Sequence, residues 1–140
     1  MILVDTSIWS LALRRKTPNL APAEHRLTQL LSQIVGSDQA QLLGSVRQEL
    51  LSGLREDSEF RRLREYLRDF PDANCLTEDY EEAALMNNRC RARGVAGSAI
   101  DFLICAAAQR RNWAILTTDR DFQNYASVLP LRLYSGSAIA

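Results

Sequence analysis

Ile2, Leu3 and Val4 form an apolar run that is closed by the polar cluster Asp5-Thr6-Ser7. A short apolar run bounded in this way predicts a strand covered on both faces. Asp5 then stands at its carboxyl end, with Thr6 or Ser7 as the cap of the next helix. That helix covers Ser7 to Arg15, with Ile8, Leu11 and Ala12 inward, and a polar loop from Lys16 to Asn19 holds Pro18. Pro22 opens a second helix, in which Leu27, Leu30, Leu31 and Ile34 keep helical spacing and Gly36 is the stop. Gln41 to Gly44 is a short, weakly marked second strand. Ser45 and Gln48 have the spacing of a capping box at the start of a third helix, which carries Glu49 and ends at Gly53.

The second half repeats this alternation. Asp57 to Phe70 is a charged helix with a stripe of Phe60, Leu63, Tyr66 and Leu67, closed by Pro71. Ala73 to Leu76 is a third strand, and Thr77 caps a helix with acids in its first turns and arginines in its last. That polarity follows the helix dipole. Gly94 stops this helix. Ser98 caps another, Ala99 to Arg111, with Ile100, Leu103, Ile104 and Ala107 as its apolar face. Trp113 to Leu116 is a fourth strand, Asp121 to Ala126 a short helix and Leu131 to Tyr134 a fifth strand. Strands that alternate with helices imply a mostly parallel sheet with right-handed crossovers. The 140 residues suit a single domain, residues 1–140, with no repeat or linker.

Composition removes several chemistries. His25 is the only histidine, which leaves Ser-His triads and histidine metal sites almost nothing to work with. Cys75, Cys90 and Cys105 stand far apart with no Cys-x-x-Cys pair, as buried reduced thiols would. Seventeen basic residues balance seventeen acidic ones, so no global charge draws the chain to nucleic acid. Sixteen of the basic residues are arginine, a side chain that grips phosphate bidentately, but coding bias and solvated helix faces are the better account of that excess. No apolar run reaches membrane-spanning length, and the first residues lack the basic stretch and cleavage site of a signal peptide. The expected compartment is therefore the cytoplasm.

Four acids fall at strand ends and helix starts: Asp5 after the first strand, Asp119 after the fourth, Glu49 early in the third helix and Asp101 in the first turn of the sixth. Asp121 is a possible fifth. Open parallel sheets bind ligands at this edge, where the strand order reverses. Each acid also has a purely structural reading: Asp101 as the partner of Ser98, Asp5 as a cap, Asp119 and Asp121 in a turn, Glu49 in solvent. Their shared location favours a site. Carboxylates gathered there repel one another unless a cation sits among them. Mg²⁺ or Mn²⁺ is the natural counter-charge for oxygen donors, and such ions activate water and orient phosphodiesters.

Val4-Asp5-Thr6-Ser7, the segment Glu49-Leu50-Leu51-Ser52-Gly53, the helix Ile100 to Ala108 and Leu116-Thr117-Thr118-Asp119-Arg120-Asp121-Phe122 together resemble the four motifs of PIN-domain ribonucleases. The size and layout look most like VapC toxins of toxin–antitoxin pairs, and the resemblance spans essentially the whole chain. It implies an α/β fold of three layers, α/β/α, around a mostly parallel five-stranded sheet of order 3-2-1-4-5. It also implies a Mg²⁺- or Mn²⁺-dependent endoribonuclease that leaves 5′-phosphate and 3′-hydroxyl ends. Asp5, Glu49, Asp101 and Asp119 would be the catalytic and metal-binding quartet, with Asp121 an accessory ligand. Thr6, Ser7 and Thr117 would be hydroxyls that orient the carboxylates. A homodimer, an RNA substrate and a small antitoxin partner are further expectations of the resemblance.

Other acid-bearing α/β proteins fit less well. A response-regulator receiver needs an aspartate after the third strand, where Thr77 and Glu78 stand, and a dehalogenase-type phosphatase needs Asp-x-Asp, where Asp5 is followed by Thr6 and Ser7. No Gly-x-Gly-x-x-Gly or P-loop occurs. The remaining alternatives are a non-catalytic PIN-like module that binds RNA or a partner, and a PIN nuclease of RNA maturation.

Overall fold

The register of the first strand sets the positions of the acids. In the computed structural model, which describes residues 1–13 and 19–136, β1 (Ile2–Val4) runs parallel to β4 (Ala114–Leu116), with Val4 beside Leu116. On its other side β1 pairs in parallel with β2 (Ala40–Leu43), which pairs in turn with β3 (Asp72–Ala73). The sheet order is β3-β2-β1-β4, so the chain steps outward twice and then returns across β1. With right-handed crossovers, this reversal puts the early and late helices on opposite faces.

The early helices are α1 (Thr6–Leu13), α2 (Pro22–Gly36), α3 (Gly44–Ser52) and α4 (Asp57–Leu67). The late ones are α5 (Thr77–Ala92) and α6 (Ala99–Arg111), followed by α7 (Asp121–Ala126) at the edge. α1 packs on α2 and α3, and α6 lies on β1 and β4 under α5. Cys105, Ala106, Ala107 and Ala108 are fully buried, and these small side chains let α6 approach the sheet closely. None of the described helices is long and apolar enough to cross a membrane.

The layered α/β architecture and the order 3-2-1-4 match expectation, but the fifth strand contracts to a single parallel bridge between Ile115 and Leu133. The cause is the length of β4. Ala114 N–H donates to Met1 and Leu116 C=O accepts from Asp5, both toward β1. Only Ile115 faces outward, donating to Arg132 C=O at 2.8 Å and accepting from Tyr134 N–H at 2.7 Å. A three-residue strand exposes one residue on its outer edge, so one bridge fills it.

Other boundaries shift for local reasons. β3 ends at Ala73, short of Leu76, because side chains satisfy the following backbone: Asn74 C=O accepts from Arg111 and Leu76 N–H donates to Asp79. Leu76, and not Thr77, is the residue that caps α5. α3 starts two residues earlier than the Ser45–Gln48 box requires, with Leu43 in the cap position, so Ser45 lies inside the first turn and its hydroxyl is buried without a partner among the described residues. α1 likewise starts at Thr6, which places Thr6 and Ser7 within the helix, and its extension to Arg15 with the loop around Pro18 lies outside the described residues. α2 runs through Gly36, and the left-handed turn falls at Asp38, φ 57°. α4 ends at Leu67, before Phe70, because Arg47 donates to the carbonyls of Leu67 and Phe70 while pairing with Asp72. Ile100, expected on the buried face of α6, is 39% exposed; Phe102 takes that role. The three cysteines are free, two of them buried.

Candidate functional site

One residue beyond the Val4–Leu116 pair, Asp5 comes beside Thr117. Asp5 is 6% exposed, and its Oδ2 accepts hydrogen bonds from Ser7 Oγ and Thr117 Oγ1, both at 2.8 Å. Each hydroxyl has a single proton, and both protons serve Asp5. Both hydroxyls then act as acceptors: Ser7 Oγ from Thr118 N–H at 3.0 Å, and Thr117 Oγ1 from Asp119 N–H at 3.0 Å. The strand-end acid and the loop after β4 are thus tied together by two side chains. Among the described residues, the other oxygen of Asp5 receives no hydrogen bond.

Three further acids converge beside it. Asp101, Asp119 and Asp121 each present a carboxylate oxygen within 4.8 Å of the other two. They come from the first turn of α6, the loop after β4 and the first residue of α7. Ser98 caps α6 by accepting from Asp101 N–H at 3.1 Å, which leaves the Asp101 side chain free to accept at Oδ2 from Tyr125 Oη at 2.7 Å. Asp119 Oδ1 accepts from Asp121 N–H at 2.9 Å, which turns the chain into α7 and brings the two acids together. Glu49 is exposed and outside this trio; it is joined to the strand end through Thr6 Oγ1, which donates to its Oε2 at 3.1 Å. The structure therefore gathers Asp101, Asp119 and Asp121 most tightly, sets Asp5 beside them through Thr117, and puts Glu49 on the rim.

The electrostatics follow from this crowding. Burial pushes the Asp101 carboxyl up, and the charges of Asp5 and Asp119 add to it, against the hydrogen bonds of Tyr125 and Ser98. Among the described residues none of the five acids is in an ion pair; the arginines serve Asp72, Glu65 and Asp79. The donor set is all oxygen, which suits a hard divalent cation such as Mg²⁺ or Mn²⁺. Cys105, one turn after Asp101, is no thiolate ligand, because burial first and then Asp101 keep its thiol protonated.

Tyr125 had no signal in the sequence: it sits 24 residues from Asp101 in a short helix, and only the packed structure brings the two together. Gly97 belongs with it, because a Cβ there would lie 2.6 Å from the Tyr125 hydroxyl.

Comparison with known proteins gives the same frame. The family model described as "PIN domain" matches residues 2–128. No curated protein matches the sequence. Among solved structures, FitAcB from Neisseria gonorrhoeae superposes with a TM-score of 0.75 at 21% identity, covering 97% of this chain and 98% of that one. VapBC2 from Rickettsia felis, bound to a DNA fragment from its promoter, gives 0.69 at 15% identity, over 96% and 98%. A toxin–antitoxin complex from Klebsiella pneumoniae gives 0.68 at 15%, over 98% of each chain. At such identities the likeness is one of fold.

Proposed function

We propose, from the premise that this chain belongs to the PIN-domain family, that it is a metal-dependent endoribonuclease and the toxin of a toxin–antitoxin pair. The observation that carries the reading is the convergence of Asp101, Asp119 and Asp121 within 4.8 Å at the carboxyl edge of a parallel sheet. Without a cation these carboxylates repel one another; burial first, and then the charges of Asp5 and Asp119, raise the Asp101 carboxyl.

In this reading Asp101, Asp119 and Asp121 hold Mg²⁺ or Mn²⁺ together with the other oxygen of Asp5, and Glu49 completes the site from the rim. A bound divalent ion acidifies water and offsets charge on phosphoryl oxygens. The protein's own part is positioning. Ser7 and Thr117 fix Asp5, Thr117 fixes the Asp119 backbone, and Thr6 steers Glu49. The whole chain acts as one PIN unit. Its partners are RNA, a cognate antitoxin, as the toxin–antitoxin complexes among the structural neighbours suggest, and a second copy of itself. Leu76 and Tyr80, 53% and 57% exposed at the start of α5, are apolar surface that a second copy would cover.

The test is cleavage of a panel of tRNA and ribosomal RNA fragments by wild type and Asp5→Asn, in EDTA, Mg²⁺ and Mn²⁺. Discrete cuts by wild type alone, and only with metal, are the expected result. Binding of RNA without new ends in any condition would replace the nuclease with a binding module. Growth arrest on expression, relieved by a neighbouring gene, separates a toxin from an RNA-maturation enzyme.

A further inference from the structure

Among the described residues, Tyr125 is the fully buried group whose hydroxyl reaches the acidic trio. Its ring is clamped between Phe102, at 5.0 Å between centroids, and Phe122, at 5.2 Å edge-on. Phe102 follows Asp101 in the chain and Phe122 follows Asp121, so the residues flanking two of the acids grip this tyrosine. Glycine at position 97 leaves the space that the hydroxyl occupies. A buried hydroxyl without an acceptor is destabilising, so the ring packing and the hydrogen bond hold each other in place.

Resting on the metal-nuclease reading, we infer that Tyr125 is a positioning residue that biases Asp101 toward binding a cation through one oxygen. Its hydroxyl donates to Oδ2 and favours Oδ1 as the oxygen Asp101 offers to a cation shared with Asp119 and Asp121. This bears on which cation fits. Mg²⁺ and Mn²⁺ take compact octahedral shells of single oxygens and retain water, whereas Ca²⁺ accepts more oxygens and both atoms of one carboxylate. The hydrogen bond from Tyr125 occupies one lone pair of Oδ2 and holds the carboxylate in one orientation, which weakens bidentate binding by Asp101 and so disfavours the larger ion. α7 thereby does two things within one turn: Asp121 at its start supplies a ligand oxygen, and Tyr125 restricts another.

The experiment compares wild type and Tyr125→Phe, which keeps the ring and removes only the hydroxyl. Mn²⁺ binding is read by electron paramagnetic resonance, with Ca²⁺ as competitor. The expected result is roughly tenfold weaker Mn²⁺ binding, a smaller loss for Ca²⁺, and hence a reduced preference for Mn²⁺ over Ca²⁺. A residue that served only to stabilise the fold would leave that preference unchanged, so unchanged selectivity overturns the inference while the nuclease reading stands. Failure of wild type to bind Mn²⁺ at all overturns both. A second measurement needs no variant: the hydrogen-bonded hydroxyl proton of Tyr125 should give a downfield NMR signal that shifts when Mg²⁺ is added. A signal that does not move at saturating Mg²⁺ overturns the role assigned to Tyr125.

Discussion

Arg111 meets Asp79 end-on, Nη1 donating to Oδ1 and Nη2 to Oδ2, each at 2.8 Å. Arg110 adds a third bond to Oδ1 at 2.5 Å, and the Asp79 side chain is fully buried. This joins the start of α5 to the end of α6, behind the sheet and away from the acidic trio. A buried carboxylate with three charge-assisted donors is costly to disrupt, because truncation strands the arginines. Asp79→Ala should therefore lose about 2–4 kcal/mol in urea unfolding, below the usual range for a fully buried pair because both arginines are partly exposed.

The same pair sets the acid limb of the stability curve. The hydrogen bonds from Arg111 first, then from Leu76 N–H and Arg110, hold the Asp79 carboxyl well below the usual carboxylate range despite its burial. The folded state thus binds fewer protons than the unfolded one. The stabilisation is present above the ordinary carboxylate pKa, roughly pH 4, and is lost as pH falls toward the folded value. Thermal melts from pH 5 to pH 2 should show this loss in wild type and a flatter profile in Asp79→Asn.

Asp101 has the opposite sign. Its carboxyl is raised by burial and by the charges of Asp5 and Asp119, so the folded state binds more protons. Metal-free stability falls as pH rises from the ordinary carboxylate value through the raised one. Asp101→Asn keeps an acceptor for Tyr125 and removes the charge. In EDTA at pH 7 it should melt about 1–3 °C above wild type, a gain that disappears below roughly pH 4. Asp5→Asn should gain less, because Ser7 and Thr117 already donate to that carboxylate.

Thr117 serves two acids with one hydroxyl. Thr117→Val removes a donor to Asp5 and an acceptor for Asp119 N–H. Losing an orienting hydrogen bond typically weakens metal binding by about 10–100-fold. Cleavage at limiting Mg²⁺ should fall on that scale, recover in large part at high Mg²⁺, and be restored by Thr117→Ser.

Gly97→Ala tests the space around Tyr125. The added Cβ would lie 2.6 Å from the hydroxyl, 2.7 Å from Cε1 and 2.8 Å from Phe102 Cε2. The aromatic ring must move, at a cost of about 1–3 kcal/mol in an unfolding titration.

Chain-local signals placed the candidate site before the structure did. Asp5 follows an apolar run, Asp101 follows a capping serine, and Asp119 and Asp121 follow a second apolar run; each position depends on its neighbours in sequence. The alternation of strands and helices implies a mostly parallel sheet, and the order β3-β2-β1-β4 is what the family resemblance implies. The illegible parts depend on groups far apart in the chain. Asp79 has the look of a dipole-compensating acid until Arg110 and Arg111, more than thirty residues on, close around it. Arg47 ends α4 from 20 residues upstream. Asp121, ranked as an accessory, stands inside the trio, and Glu49, ranked with the principal acids, stands outside it. Spacing gives the helix turn on which an acid sits but not the direction in which its side chain reaches. The composition of Leu131 to Tyr134 suits a strand, but the outer edge of β4 has room for one residue only.

That narrow outer edge also bears on how the molecule behaves in a crowded cell. A long open strand is a template on which another chain can lay itself and start an insoluble fibre. Here one margin of the sheet offers a single backbone pair, already taken by the segment around Leu133, and the other ends in the two-residue β3. The sheet leaves little unpaired ladder at either side for a stray strand to extend. A sheet with edges this short offers a poor template for aggregation.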